Sequence, residues 1–400
     1  MEKIKATFKS ESPYILFLLS VLVMGLSYGI YKGVIDNYLA EIVHMNEFDK
    51  GLSEFFREFP GLLLVFILAA LYTFSAERLY KIGSIFMLVG MAMHAIVSPT
   101  KVMIIFAIFT FSLGEHLQLG MKSTLSLQYS EPGHGGEALG YNNSAGQIGH
   151  LVGYVIVAVA FLLLAGKQPF TLFFWISTIL CLISTILSLK ITGRTETDKN
   201  KRRFYFRKKY RKYYMLEVFY GSRKQVFLTF GPYVLILFYK ASTATISILF
   251  AVSAIVCFFM SPVVGRIIDR FGYKIVMIMD TVILVVVCFF YGFAHRIFPM
   301  NVAFIVCCVN YVLDSVISLA SMASSVYVQD ISDSEDETRA TLSTGISVNH
   351  LISVLIALFG GWIWQTLGMG TLFIISAILG LCNSAYAATI KVEPKAETKA

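Results

Sequence analysis

Arg223 and Lys224 stand side by side in VFYGSRKQVFLTF, residues 218–230, a stretch that is otherwise apolar and aromatic. An ionisable group at mid-bilayer costs ~2.5–3.5 kcal/mol on insertion scales, so such groups face a cavity or a partner. A guanidinium grips a carboxylate or phosphate at two points, while an ammonium acts as a point charge. Neighbours in a helix point about 100° apart, so one of the two cations can serve a cavity while the other pairs with an adjacent helix. Comparable groups recur elsewhere. Tyr28, Lys32 and Asp36 form an i, i+4, i+8 stripe; Glu115, Gln118 and Lys122 follow i, i+3, i+7. Glu54, Arg57, Glu58 and Gly61 repeat that spacing, and Asn310 precedes Asp314 by one turn. Residues so spaced share one helix face. The cations Lys32, Arg223 and Lys224, with Tyr28, Tyr220, Gln118 and Asn310, are the candidate contacts for a small anion. Asp36, Glu115 and Asp314, together with Lys122, are candidates for proton coupling or for salt bridges, because burial and nearby cations move a carboxylate's affinity for protons in opposite directions.

The elements that carry these groups follow from composition. The 400 residues are 56% hydrophobic and only 14% charged, with mean hydropathy +0.71. Soluble domains carry nearly twice that charge. Apolar runs recur at roughly 12–41, 52–76, 79–97, 101–128, 136–165, 169–190, 213–239, 243–264, 273–294, 300–328, 338–364 and 370–390. Each is near the ~20 residues that a helix needs to cross the bilayer. Only helices or closed barrels satisfy their backbone there, so twelve such runs predict an all-α membrane protein. Lys224 lies nine residues from Met215, or ~13 Å into its helix, too deep to reach water easily. The six cysteines all fall inside spans with no CxxC pair, and no residues show metal-ligand spacing; neither metal nor cofactor is expected. Asn142, Asn143, Gln147, His150, Asn349 and His350 suit hydrogen bonds between helices. Trp362 and Trp364 suit an aromatic belt at a membrane boundary.

Lysine and arginine sort the loops. Lys3, Lys5, Lys9, Arg78, Lys81, the 190–212 connection, Arg266, Arg270, Lys274, Arg339, Lys391, Lys395 and Lys399 fall on one side. Lys50, Lys101, Lys167, Lys240 and Arg296 fall on the other. The richer side is cytoplasmic, which places both termini there and the protein in the cytoplasmic membrane. The polar insert ITGRTETDKNKRRFYFRKKYRKYY divides the spans into a first bundle, 1–190, and a second, 213–400, joined by a basic linker, 191–212. Its cations interleave with aromatics beside a span, which suits anionic lipid headgroups rather than nucleic acid. The bundles repeat each other. Tyr28-Gly29-x-x-Lys32 matches Tyr220-Gly221-x-x-Lys224 at a shift of 192, and the same shift carries Glu77-Arg78 onto Asp269-Arg270, Gln118 onto Asn310 and Lys122 onto Asp314. Duplicated six-helix halves are one of the transporter layouts.

GRIIDRFGYK, residues 265–274, resembles the loop motif of the major facilitator superfamily, Gly-x-x-x-Asp-Arg-x-Gly-x-Lys. Gly265, Asp269, Arg270, Gly272 and Lys274 occupy its positions. The first-half copy, TFSAERLYKIG, keeps Glu77, Arg78 and Lys81 without the glycines. The resemblance implies twelve helices in two pseudo-symmetric bundles and a central cavity lined by spans 1, 4, 7 and 10. It also implies gating by Glu77, Arg78 and the 265–274 residues; the cluster Glu54, Arg57, Glu58 is either an outer gate or a self-neutralising structural network. The implied activity is secondary transport by alternating access. With the deep cations, it points to a small organic or phosphorylated anion coupled to protons or another ion. The alternatives are efflux of an amphipathic drug-like compound, passage of a neutral solute, and a non-transporting sensor or lipid-handling homologue. The Gly-Pro-x-x-Gly-Gly run of the family's drug/proton antiporters is absent; SAGQIGHLVGY stands there, and its Gly146, Gly149 and Gly153 suit close helix packing. No GxxxxGK[ST] loop occurs and no nucleophile stands beside a base, so an enzyme is not expected.

Overall fold

The structure, a computed structural model, describes residues 2–71, 73–164, 169–192 and 206–391. Most of the basic linker, 193–205, lies outside these residues, as do Lys167, Lys395 and Lys399 of the loop-charge pattern. The lipid contact expected of the linker therefore falls mainly outside the described residues.

The chain is helical: α1 Glu2–Thr7, α2 Tyr14–Glu41, α3 Glu47–Ala70, α4 Ala76–Ile96, α5 Lys101–Tyr129, α6 Gly135–Leu163 and α7 Phe170–Leu189. Then follow α8 Arg211–Leu237, α9 Thr243–Phe271, α10 Tyr273–Ile297, α11 Met300–Ile317, α12 Met322–Ile331, α13 Glu335–Leu367 and α14 Met369–Ala388. α11 and α12 run on through a 3-10 turn, Ser318–Ser321, as one stretch of 32 residues. The helices from α2 onward thus answer to the twelve expected spans in order. Ten of them are long and apolar enough to cross a membrane by length and composition. The two that are not, α3 and α8, hold the charged clusters around Arg57 and Arg223.

Three boundaries differ from expectation by about five residues or more; one is the end of α3, at Ala70 rather than near 76. α3 begins at Glu47 rather than near 52, because Asn46 and Asp49 form a reciprocal capping box that starts the helix among polar residues. α9 continues to Phe271 rather than stopping at 264, so most of GRIIDRFGYK is helix and not loop. Gly272 alone turns the chain into α10, at φ +82°, a conformation that favours glycine.

Packing repeats across the chain. α2 lies on α6 and α7, α4 on α5 and α7, and α3 on α5. In the same pattern α8 lies on α13 and α14, α10 on α11 and α14, and α9 on α11. The matched glycines take part. A Cβ on Gly29 would come within 2.4 Å of the His150 carbonyl oxygen in α6, and one on Gly221 within 2.8 Å of Asn349 Nδ2 in α13. Gly149 meets the Leu22 carbonyl oxygen at 2.4 Å in the same test, so the small residues of α6 do serve close approach to α2. Large apolar side chains such as Leu163, Phe258 and Phe259 point outward and are exposed, as a lipid-facing surface requires. Cys181, Cys288 and Cys307 are buried free thiols in the apolar core. Of the two tryptophans expected in a belt, Trp362 is exposed, whereas Trp364 is buried against Phe230 and Tyr233.

The two sets of helices meet at one end. α3 packs on α13 and α6 on α9. There Asn37 donates to the Ala241 carbonyl, Tyr233 to that of Met45 and Ser247 to that of Gly33. Gly51 fits against Ala357 and Gly361. Away from that end, Asn143 and Gln147 of α6 and Lys224 of α8 are exposed polar groups.

Candidate functional site

The short connection between α2 and α3 folds the two helices back on each other and brings their charges together. Lys32 Nζ lies 2.8 Å from Asp36 Oδ2, and Lys50 Nζ lies 2.8 Å from both Asp36 Oδ1 and Glu54 Oε1. Arg57 Nε is 2.5 Å from Glu54 Oε2, and its guanidinium also pairs with Glu58. Glu58 Oε2 in turn meets His350 Nδ1 of α13 at 2.8 Å. The result is a continuous row of alternating sign, Lys32–Asp36–Lys50–Glu54–Arg57–Glu58–His350. Three cations face three carboxylates, so burial is compensated pair by pair. Lys50, assigned to an outer loop by sequence, is only 2% exposed and occupies the middle of the row. Its neighbours in α3 gave the signal: Lys50 precedes Glu54 by four residues.

Beside this row is a cavity of about 120 Å³. Tyr28, Lys32 and Asp36 of α2, Glu54 and Arg57 of α3, and Phe111 and Glu115 of α5 line it, and Leu228 of α8 closes it from the second half. Lys224 precedes Leu228 by one turn, so it stands on the α8 face that looks across at α2, α3 and α5. It is exposed and makes no ion pair among the described residues. Glu115 is half-buried and likewise unpaired, with Arg57 and Lys122 cations it acts on at longer range. Asp314 is half-buried, and the charges that act on it are those of Arg223 and Lys224.

Several candidates lie elsewhere than expected. Arg223 does not join Glu115 or Asp314 in an ion pair. It is 3% exposed, 2.6 Å from Asp280 Oδ2 of α10, and stacked 4.8 Å over the Tyr220 ring. Tyr220 is itself spent on the Ser318 carbonyl, 2.7 Å away. Gln118 is fully buried and ties α5 to α4 through Ser84 Oγ and the Tyr80 carbonyl. Asn310 is 5% exposed and donates to the Val306 carbonyl of its own helix. These four side chains found partners within their own half, because the face each presents is packed. Asp280 was overlooked, although a single acid in KIVMIMDTVILVVV is the same signal that marks Asp314. Glu217 was overlooked too; it accepts from Ser324 and Asn349, two turns before Lys224 on the same helix face.

The comparisons with known proteins agree on a family. A sequence model of the Major Facilitator Superfamily matches residues 17–239 and again 214–400. The chain belongs to the major facilitator superfamily. No curated protein matches it in sequence. The fold is similar to that of the nucleoside transporter NupG, at 17% identity and TM-score 0.72, covering 95% of this chain and 99% of that one. It is also similar to a D-xylose–proton symporter, at 14% identity and TM-score 0.70, covering 94% of this chain and 96% of that one. A bacterial homologue of the human lysosomal transporter Spinster, inward-facing and occupied, matches at 11% identity and TM-score 0.69, with 94% and 96% covered. This major facilitator protein is accordingly a multi-pass membrane transporter and not an enzyme.

The signature residues of the superfamily can now be placed. Asp269 and Arg270 are exposed at the end of α9 and make no ion pair among the described residues; Arg270 lies over the Phe271 ring. Lys274 donates to the Ile390 carbonyl, 2.8 Å away. Gly265 has open space about its α-carbon. In the first half, Glu77 is buried and accepts from Tyr129, while Ser75 caps α4 through the Arg78 amide.

Proposed function

We propose that this protein is a secondary active transporter that moves a small organic or phosphorylated anion across the cytoplasmic membrane, coupled to protons, by alternating access of two six-helix bundles. The bundles are residues 1–190 and 213–400, with the 191–212 linker and both termini in the cytoplasm. On that orientation the closed end faces outward and the other end inward.

The observation that carries the reading is Lys224. It is a cation on a cavity-facing helix surface that makes no ion pair among the described residues, while the other deep cations of α2, α3 and α8 are held in ion pairs. An anion entering from the inward end meets it first. Lys32, Arg57 and Glu115 line the cavity beyond and Tyr28 supplies a ring wall; in this reading Glu115, and Asp314 outside the lining, exchange a proton as the substrate's charge comes and goes. Arg223, Tyr220, Gln118 and Asn310 support this site from behind.

A second reading, a neutral polar solute, is favoured by one specific observation. The row from Lys32 to Glu58 neutralises itself, and the wall beside it is aromatic, with Tyr28, Tyr31 and Phe111. Flux of labelled anions and of labelled sugars or nucleosides into vesicles, with and without a pH gradient, separates the two. Lys224→Gln is expected to abolish anion flux in a protein that remains folded and inserted. Anion flux that survives the substitution, or flux confined to neutral solutes, refutes the anion reading.

A further inference from the structure

Glu58, His116 and His350 converge from three helices, α3, α5 and α13, with one ligand-type atom of each lying within 4.8 Å of the other two. Glu58 and His116 are buried and His350 is half-buried. Ser112 Oγ spends its hydrogen on the Arg57 carbonyl, so it can only accept from His116 Nδ1, 3.0 Å away; the Ser112 carbonyl, 2.9 Å from the same nitrogen, also accepts. Nδ1 therefore carries the hydrogen and Nε2 presents a bare lone pair. A backbone carbonyl holding one ring nitrogen while the other stays free is how proteins orient a metal-ligating histidine.

Gly61 makes the room around these nitrogens. The position a Cβ would take on Gly61 is 2.7 Å from the His116 Cδ2–Nε2 edge and 2.9 Å from His350 Nδ1. Both nitrogens border one spot, which only a residue without a side chain leaves clear. Glu58 Oε2 meets the same His350 nitrogen at 2.8 Å. Two imidazoles and one carboxylate are a donor set for divalent transition metals, with water filling the remaining position. Metal–ligand bonds of about 2.0–2.2 Å put tetrahedral donors about 3.3–3.6 Å apart, so the widest pair has to close by about 1.5 Å at most.

We propose that Glu58, His116 and His350 form a binding site for a divalent transition-metal ion of the Zn2+ class, which bridges the two halves at their closed end. The metal replaces the hydrogen between His350 Nδ1 and Glu58; that proton passes to His350 Nε2 or to water. Two ligands come from the first bundle and one from the second, so occupancy holds the closed end shut. The inference from sequence that no metal set exists rested on spacing along the chain, and spacing is silent about ligands from separate helices.

The test uses the purified full-length protein without a histidine tag, freed of metal by chelation, and reads binding rather than transport. One Co2+ per chain is expected, displaced by Zn2+, with a rise in melting temperature on Zn2+ addition. His116→Gln and His350→Gln should each weaken binding by about tenfold or more. Joint replacement of His44, His134 and His295, which lie outside the cluster, should leave it unchanged. Pulsed EPR of bound Cu2+ counts the imidazoles in the unaltered chain, and two are expected. Absence of saturable binding, fewer than two imidazoles, or binding that follows the other histidines overturns the proposal.

Discussion

Glu115 and Arg223 show what a deep charge does when it is left alone and when it is matched. Glu115 faces the cavity without an ion pair, so Glu115→Gln should flatten the pH dependence of flux in vesicles; an unchanged profile rules it out as the proton carrier. Arg223 is locked to Asp280, and Asp280→Asn leaves a buried guanidinium without its counterion, at a cost of about 3–5 kcal/mol. The double change Arg223→Met with Asp280→Leu should recover most of that loss, with melting in detergent as the measurement. Charges in apolar runs are legible in sequence because the bilayer makes them rare. Which of two adjacent cations turns toward the cavity is not legible, since about 100° of rotation separates them and the packed neighbour decides. Lys50 was misplaced for a related reason: a lysine near a span end looks solvated until the opposing helix adds Asp36 to the Glu54 one turn along its own helix.

At the scale of elements, the close approach of α2 and α6 depends on glycines. Gly149→Val would drive a side chain into the Leu22 carbonyl and part the helices, costing about 1–3 kcal/mol as seen in thermal melting, whereas Gly140→Ala, in open space on the same helix, should be silent. Helix existence and order were readable throughout, because spans announce themselves by apolar length. Ends were less readable where polar residues continue the helix. α3 starts among acids under a capping box, and α9 runs on through Asp269 and Arg270. The packing of Gly29 and Gly221 was readable only as a repeat; the structure supplied their partners in α6 and α13.

For the molecule as a whole, contacts between halves gathered at one end predict a carrier caught with that end shut. The Cβ position of Gly33 lies 3.0 Å from Ser247 Oγ, so Gly33→Cys with Ser247→Cys should form a disulfide across the halves. Oxidation is expected to stop flux and reduction to restore it; a cross-linked protein that still transports would mean this end need not open. The ion row at that end has an electrical consequence. Lys32, Lys50 and Arg57 balance Asp36, Glu54 and Glu58, so whatever distance the row travels through the membrane field, positive and negative displacements cancel. A lone charge crossing the field would gain or lose about 2.3 kcal/mol per 100 mV. The row therefore adds no voltage dependence of its own to opening of the closed end.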